Sequence, residues 1–508
     1  MNFYEILEKQ TKAYPGKPAI IFKETAITFS ELRKTAFSLA NGLNALGLRK
    51  GEKAAIYMPN NPEYMYSFLG IFLLHGVCVP LDFMLTEEEI INFLNHSETK
   101  ILIAHGKKGV DFDTIKSRCP LLQKIVLLGV EAKEGFISWS TVLTASASVL
   151  KKEAEEGDHS AIFYTSGSTG HPKGVLLTYR HLDTPVKCMD HFLHPHDNDI
   201  LLCAGVPFSH IGGLDYMLLS LYFGQTLVLM ERFHPLEFLK YIEKYKATIF
   251  CIVPSMYVAI LSLKEYNKFD LSSLRHAVVF GAPSSPVLLK RFHKACPNAF
   301  LLNGWGMTET AAPNCFLPTG TDTKAIEDAG RFPPEMQAKI ADDDGISLGP
   351  EEEGELWVKG EGVMVGYYKE PVLTRSVITQ DGWLKTGDIA KFDKENRFYI
   401  VGRKKDMIKV AGEIVFSPEV EEVIQRYPKV KEVAVIGVPD AMRGEVPKAL
   451  LVVKEGENLT EEELRYFLRG HLAHFKIPHH FEFCASLPKN RVGKIDKEKL
   501  KQTLPAPA

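Results

Sequence analysis

Ala161-Ile162-Phe163-Tyr164-Thr165-Ser166-Gly167-Ser168-Thr169-Gly170-His171-Pro172-Lys173-Gly174 is an apolar run that breaks into small and hydroxylated residues. Residues 161–165 predict a buried strand, and the segment that follows predicts a loop at its carboxyl end. Small residues let backbone N–H groups approach phosphate oxygens, the hydroxyls of Thr165, Ser166, Ser168 and Thr169 add donors, and Lys173 adds a mobile positive charge. Composition alone also fits a surface turn. The preceding strand favours a phosphate loop, because ligands bind outside the carboxyl ends of strands in α/β sheets. The loop is not a Walker A sequence, which needs Ser or Thr after its lysine, whereas Lys173 is followed by Gly174.

Outward from this stretch, strand-like runs at 200–204, 226–230, 248–253 and 276–280 are separated by helical patterns at 235–245 and 286–295. Toward the N-terminus, Leu32, Ala36, Leu39, Leu43 and Leu46 recur at helical spacing between a Ser30 N-cap and Gly47. A strand at 53–58 follows, then an apolar stretch at 65–80 that is short for a bilayer and reads as a buried helix running into a strand. Thr86 with Glu89 three residues on is a capping-box pattern, ahead of a buried strand at 101–104. Beyond about Glu353 short strands dominate (354–358, 398–401). A compact unit then begins near residue 405, with helices at 417–427 and 460–474 and strands at 432–437 and 448–453. The expected fold is α/β: a large N-terminal domain over 1–404, made of helix-covered β-sheets plus a small β-subdomain, and a small mobile α+β C-terminal domain over 405–508.

A chain of 508 residues exceeds one ordinary core, which agrees with two domains. It is 45% hydrophobic and 24% charged with a net charge of -3, ordinary for a soluble enzyme and unlike a nucleic-acid binder. Eight cysteines without a CxxC pair suggest neither a disulfide framework nor a zinc site, which fits a reducing cytoplasm. The N-terminus MNFYEILEKQTKAYPGKPA does not resemble a secretory signal, and no transmembrane segment is expected. The composition is compatible with a homodimer and does not encode one.

Five motifs in order carry a resemblance: TSGSTGHPKG (165–174), NGWGMTE (303–309), TGD (386–388), GRKKDMIKVAGE (402–413) and PKNRVGK (488–494). Together they resemble the adenylate-forming superfamily of acyl-CoA synthetases, luciferases and peptide-synthetase adenylation domains. The resemblance implies an AMP-forming acyl-CoA synthetase that uses ATP, Mg²⁺ and coenzyme A. It makes Thr165, Ser166, Gly167, Ser168, Thr169, Gly170 and Lys173 the phosphate loop. Thr308 would donate to a phosphate oxygen, and Glu309 is a carboxylate suited to Mg²⁺ between phosphates. Asn303, Gly304 and Trp305 would lie beside adenine, as would Gly281, Ala282 and Pro283, which also approach the acyl group. Trp305 stands where Tyr is commoner, so a stacking face is kept and a phenolic hydroxyl lost. Asp388 resembles the acceptor of the ribose hydroxyls and Arg403 its neighbour at the same sugar. Lys494 resembles the lysine that bridges carboxylate and α-phosphate oxygens as charge develops. Lys405 falls at the family's hinge, where a rigid turn is the alternative, and Gly412 would leave room for the pantetheine arm of CoA.

The mechanism this implies needs no protein nucleophile. The acid attacks the α-phosphorus of ATP and expels pyrophosphate, then the CoA thiol attacks the acyl-AMP carbonyl. His210, in PFSHIGGL, is either a core histidine or part of the acyl wall. Gly306 replaces the bulky Trp with which acetate-specific relatives close the pocket, so with Met307 it implies an acid larger than acetate. The expected acid is a medium- or long-chain fatty acid, with an aryl or arylpropenoic acid as alternative. An amino-acid adenylation module feeding a carrier protein is the rival enzyme, disfavoured because PFSHIGGL lacks an Asp for an α-amino group and the chain ends fourteen residues after Lys494, while a stand-alone ligase loading a separate carrier protein stays open as an alternative. A binding protein that kept the fold is the non-enzymatic rival, disfavoured because every named role has an occupant.

Overall fold

The computed structural model describes residues 1–129, 134–143, 155–165, 173–281, 286–317, 330–410, 413–440, 442–489 and 494–502. Ser166 to Gly170, Ala282, Pro283 and Gly412 lie outside the described residues, as does the side chain of Lys405.

Two eight-stranded sheets form the large domain. One orders its strands Cys315–Leu317, Phe300–Trp305, His276–Val279, Ile249–Ile252, Ile200–Ala204, Thr226–Met230, Pro18–Phe22 and Thr25–Thr28, parallel except at both edges. The other runs Gly366–Tyr367, Lys173–Thr178, His159–Thr165, Val77–Leu81, Lys53–Tyr57, Ile101–His105, Lys124–Leu128 and Ile137–Ser138. Successive side chains in a strand point to opposite faces, and the packing follows that period. Ala54 and Ile56, with Leu201 and Cys203, enter a central core shared by both sheets. Ala55 and Tyr57 pack under the outer helices of one sheet, Leu202 and Ala204 under those of the other. Both faces are buried, which is why these strands read as continuous apolar runs.

Helix Pro62–Leu73 is buried along its whole length and leads into Val77–Leu81. Among the described residues no helix is long and apolar enough to cross a membrane. The Thr86–Glu89 capping box opens helix Glu87–Ser97. The helix read as starting at Ser30 instead starts at Phe29 and is capped by Thr28, whose N–H donates to the Glu31 carboxylate at 2.8 Å. A carboxylate three residues on satisfies the cap reciprocally, and Ser30 has Arg33 in that place.

The stretch quoted first opens on the expected strand. His159–Thr165 and Lys173–Thr178 pair antiparallel, with Thr165 opposite Lys173, so the glycine-rich segment joins the two strands of a hairpin. Nothing in residues 174–178 marks a helix, and the apolar Val175, Leu176 and Leu177 continue the sheet instead.

A four-stranded antiparallel sheet follows, ordered Met336–Ala341, Gly354–Gly360, Leu384–Phe392 and Phe398–Arg403. The last unit is a five-stranded sheet built on Val430–Asp440 and Gly444–Val453, with helices Ser417–Gln425 and Glu461–Arg469 and a core of its own running from Ile408 to Leu500. The second helix stops short of 474 because Gly470 follows Arg469 as its cap. The unit meets the four-stranded sheet where Phe416 lies on Gly402, so closely that an added Cβ would stand 2.6 Å from the ring.

Candidate active site

Strands His276–Val279 and Phe300–Trp305 are parallel neighbours with Val279 opposite Asn303. That register leaves Gly281 beside Gly304 and Trp305 at the carboxyl end of the sheet, where α/β proteins bind ligands. A continuous cavity of about 2610 Å³ opens there and is also lined by Thr165, Asp388, Arg403 and Lys494. Pockets for one small ligand run to roughly 300–1,000 Å³, so this one has room for a nucleotide and a second substrate together.

Gly281 has φ +82°, a left-handed conformation that favours glycine. A Cβ added there would stand 3.4 Å from Cε and 3.6 Å from Nζ of Lys494. The C-terminal lysine therefore rests its head against this backbone turn. Nearby, Asp388 and Arg403 face each other across antiparallel strands. Arg403 Nε donates to Asp388 Oδ1 at 2.8 Å, and Trp305 Nε1 donates to Asp388 Oδ2 at 2.9 Å. Both carboxylate oxygens are thus held in place, and each keeps a lone pair for a further donor such as a sugar hydroxyl. Trp305 is wedged edge-on between Phe332 and Phe398, with ring centroids 5.6 and 5.8 Å away. The indole N–H takes up a polar task that the bare exchange of Tyr for Trp does not announce. Trp305→Phe would keep the aromatic wedge and free Asp388 Oδ2. The expected result is a KM for ATP about tenfold higher, the worth of one hydrogen bond to a charged group. An unchanged KM would show that Arg403 alone fixes the carboxylate.

Glu309 and Lys173 meet through a residue the motifs did not flag. Glu309 Oε1 accepts from the Tyr367 hydroxyl at 3.0 Å, and Lys173 Nζ sits 5.2 Å from the Tyr367 ring centroid. Tyr367 is placed by pairing with Val175, and Tyr368 N–H donates to the Gly174 carbonyl at 2.7 Å. Burial pushes the Glu309 carboxyl up, opposed by the Tyr367 hydroxyl and by the positive charges of Arg403 and Lys173. Among the described residues no cluster of three His, Cys, Asp or Glu could hold a metal alone. One buried carboxylate on the cavity wall, beside Thr308, fits a Mg²⁺ that arrives on a nucleotide's phosphates, since Mg²⁺ is commonly held by one or two carboxylates plus phosphate oxygens.

The other end of the cavity is mostly apolar, lined by Met189, Ile211, Leu219, Met256, Phe280 and Met307 among others. His210 caps helix Ile211–Phe223 and faces the cavity, with Nε2 3.3 Å from Asp82 Oδ2. Gly306 also lines it. A Cβ there would meet Ala312 Cβ at 2.6 Å and Asn314 Oδ1 at 3.0 Å, so a larger residue at 306 would first have to displace Ala312. Immediately after PFSHIGGL, which itself holds no acid, comes Asp215, and it too lines this wall. Lys405 stands in the 3-10 turn Lys404–Asp406 between the two units, where Lys404 Nζ pairs with Asp343 at 2.9 Å.

A strand-ended cleft with a buried carboxylate held by a pair of donors on one side and a lysine from a second unit on the other fits a nucleotide-handling enzyme of the adenylate-forming class. The pattern of the AMP-binding enzymes matches residues 7–368, and that of the AMP-binding enzyme C-terminal domain matches residues 419–494. The chain is 31% identical to the long-chain-fatty-acid–CoA ligase of Bacillus subtilis, covering 97% of this chain and 93% of that one. It is also 31% identical to 4-coumarate:CoA ligase 1 of Petunia hybrida, over 94% of this chain and 89% of the relative. Among solved structures, the anthranilate CoA ligase AuaEII in complex with anthranoyl-AMP superposes with a TM-score of 0.91 at 27% identity, covering 99% of this chain and 97% of that chain. ATP-bound MatB from Rhodopseudomonas palustris superposes at 0.89 and 28%, with 99% of each chain covered. The chain belongs to the AMP-binding enzyme family and is of its acyl-CoA synthetase type. ATP and CoA are the co-substrates of that class.

Proposed function

We propose that this enzyme joins a carboxylic acid with an apolar body larger than acetate to AMP, and then passes the acyl group to CoA. The observation that carries the reading is the head of Lys494 against Gly281, in the same cavity as the Trp305–Asp388–Arg403 cluster. Asp388 and Arg403 hold the ribose, while Gly281 to Pro283 and Asn303 to Trp305 border the adenine. The loop from Thr165 to Gly174, with Lys173 and Thr308, grips the departing pyrophosphate. Glu309, with the nucleotide's phosphates, would hold a Mg²⁺, which would neutralise charge on the leaving group. Lys494 draws the acid's carboxylate and the α-phosphate oxygens together, so that attack is in line and developing charge meets a preorganised cation. The domain from 405 then turns about Lys405, removes Lys494 and brings Gly412 to CoA, whose thiol attacks the acyl carbonyl, loses its proton and expels AMP.

For the acid, the mostly apolar wall supports a medium- or long-chain fatty acid, as the Bacillus relative's name does. Asp215 favours a second reading, an aryl or arylpropenoic acid with a polar substituent, in line with the names of the coumarate and anthranilate ligases. Pyrophosphate release across acetate, octanoate, palmitate, benzoate and coumarate tests the size limit. The expected result is turnover with one or more of the last four and little with acetate; preference for acetate would sink it. Replacing CoA by a phosphopantetheinyl carrier protein as acceptor tests the acceptor, with CoA expected to serve.

A further inference from the structure

Helix Ile211–Phe223 is apolar on almost every side, with Ile211, Leu214, Met217, Leu218, Leu219 and Leu221 buried. Asp215 interrupts that run. It is 6% exposed, and its Oδ1 is buried with no hydrogen-bond partner among the described residues. Its neighbour on the helix is the opposite case. The Tyr216 hydroxyl donates to the Cys251 carbonyl at 2.6 Å and accepts from the Cys251 N–H at 2.7 Å, so the polar group beside Asp215 is paired both as donor and as acceptor. The orphan is therefore particular to Asp215 and not a looseness of the helix.

Asp215 lines the apolar end of the cavity together with Gly212, Leu219, Met189 and Cys251. Gly212 is held small by Phe280, whose Cε2 would stand 2.9 Å from an added Cβ. Burial pushes the Asp215 carboxyl well up, with no cation among the described residues offsetting it, and burial likewise pushes the thiols of Cys188 and Cys251 up. In its neutral form the group can both donate and accept. A buried carboxyl without a partner is a standing cost, and a chain of methylenes passing it would leave that cost in place.

We infer that Asp215 sets the specificity of the acid site, and that the acid admitted carries an uncharged hydrogen-bonding group, a hydroxyl or an aromatic amine, away from its reacting carboxylate. The inference rests on the ligase reading above and names its substrate class. Sites built to pair a substrate's polar group discriminate strongly against the analogue that lacks it, because the protein group is then left unpaired.

The test is a set of matched pairs: benzoate with its hydroxy and amino isomers, cinnamate with its hydroxy isomers, and dodecanoate with 12-hydroxydodecanoate. In the wild type, at least one substituted acid should exceed its plain parent by about tenfold or more in kcat/KM. Asp215→Leu should collapse or invert that ratio, Asp215→Asn should keep part of it, and the leucine variant should melt at a higher temperature than the wild type because the orphan is gone. The inference is overturned if the plain parent is the better substrate in every pair, or if the preference survives in Asp215→Leu. Activity with plain acids and no gain from any substituent would leave the ligase reading standing. Absence of acid-dependent ATP–pyrophosphate exchange with every acid would overturn the ligase reading, and this inference with it.

Discussion

Lys494→Ala is expected to slow acid-dependent ATP–pyrophosphate exchange by roughly 10²–10³-fold, the scale seen when one preorganised donor to a developing charge is removed. Thioester formation from supplied acyl-AMP and CoA should stay within about tenfold of the wild type. The asymmetry follows from where the residue sits. Lys494 belongs to the C-terminal unit, yet its head lies against Gly281 of the large domain, so it is in position only while the two units are arranged as here. Once the acyl-adenylate exists, the proposed turn about Lys405 carries the lysine away before the thiol attacks. A substitution at 494 should therefore register in one half-reaction and not the other. Equal losses in both would mean that Lys494 acts throughout the cycle or holds the domains together, and the turning domain would have to be abandoned.

Much of the fold was readable because its elements follow from local rules. Strands Ile200–Ala204 and Thr226–Met230 match their apolar runs residue for residue, and the Thr86–Glu89 box fixes a helix start from four residues. Errors arose where the deciding partner is remote or where two local signals compete. Thr28 caps the helix in place of Ser30 because Glu31 lies three residues after it and closes a capping box. No local signal names the partners of Lys173–Thr178, which pairs with His159–Thr165 on one side and with Gly366–Tyr367, some two hundred residues away, on the other. The site divides in the same way. The motifs name Asp388, Arg403 and Glu309, whose chemistry is carried in short runs. They say nothing of the Trp305 indole as the donor to Asp388, of Tyr367 beneath Glu309, or of Asp215, because those roles exist only once strands from different parts of the chain are side by side. For Asp215 the usable signal was a lone acid inside an otherwise apolar helix.

Glu309→Gln is the second substitution with a large expected effect, a fall in adenylation of about 10²-fold or more at fixed Mg²⁺, with the Mg²⁺ concentration needed for half-maximal rate shifted upward. Glutamine is close to isosteric, and its amide oxygen can still accept from the Tyr367 hydroxyl that now reaches Glu309 at 3.0 Å. What it removes is a negative charge held in a site where the residue is 8% exposed. Burial raises the folded pKa of this carboxyl, so the folded state binds its proton more readily than the unfolded chain does. The ionised form then costs stability at neutral pH, and that cost is relieved as the pH falls. Glu309→Gln should consequently melt no lower than the wild type at pH 7, which separates lost chemistry from lost folding. A charge kept at such a cost fits a site that must meet a cation. Adenylation within tenfold of the wild type would instead make Glu309 a packing partner of Tyr367 and move the search for the Mg²⁺ carboxylate elsewhere in the cleft.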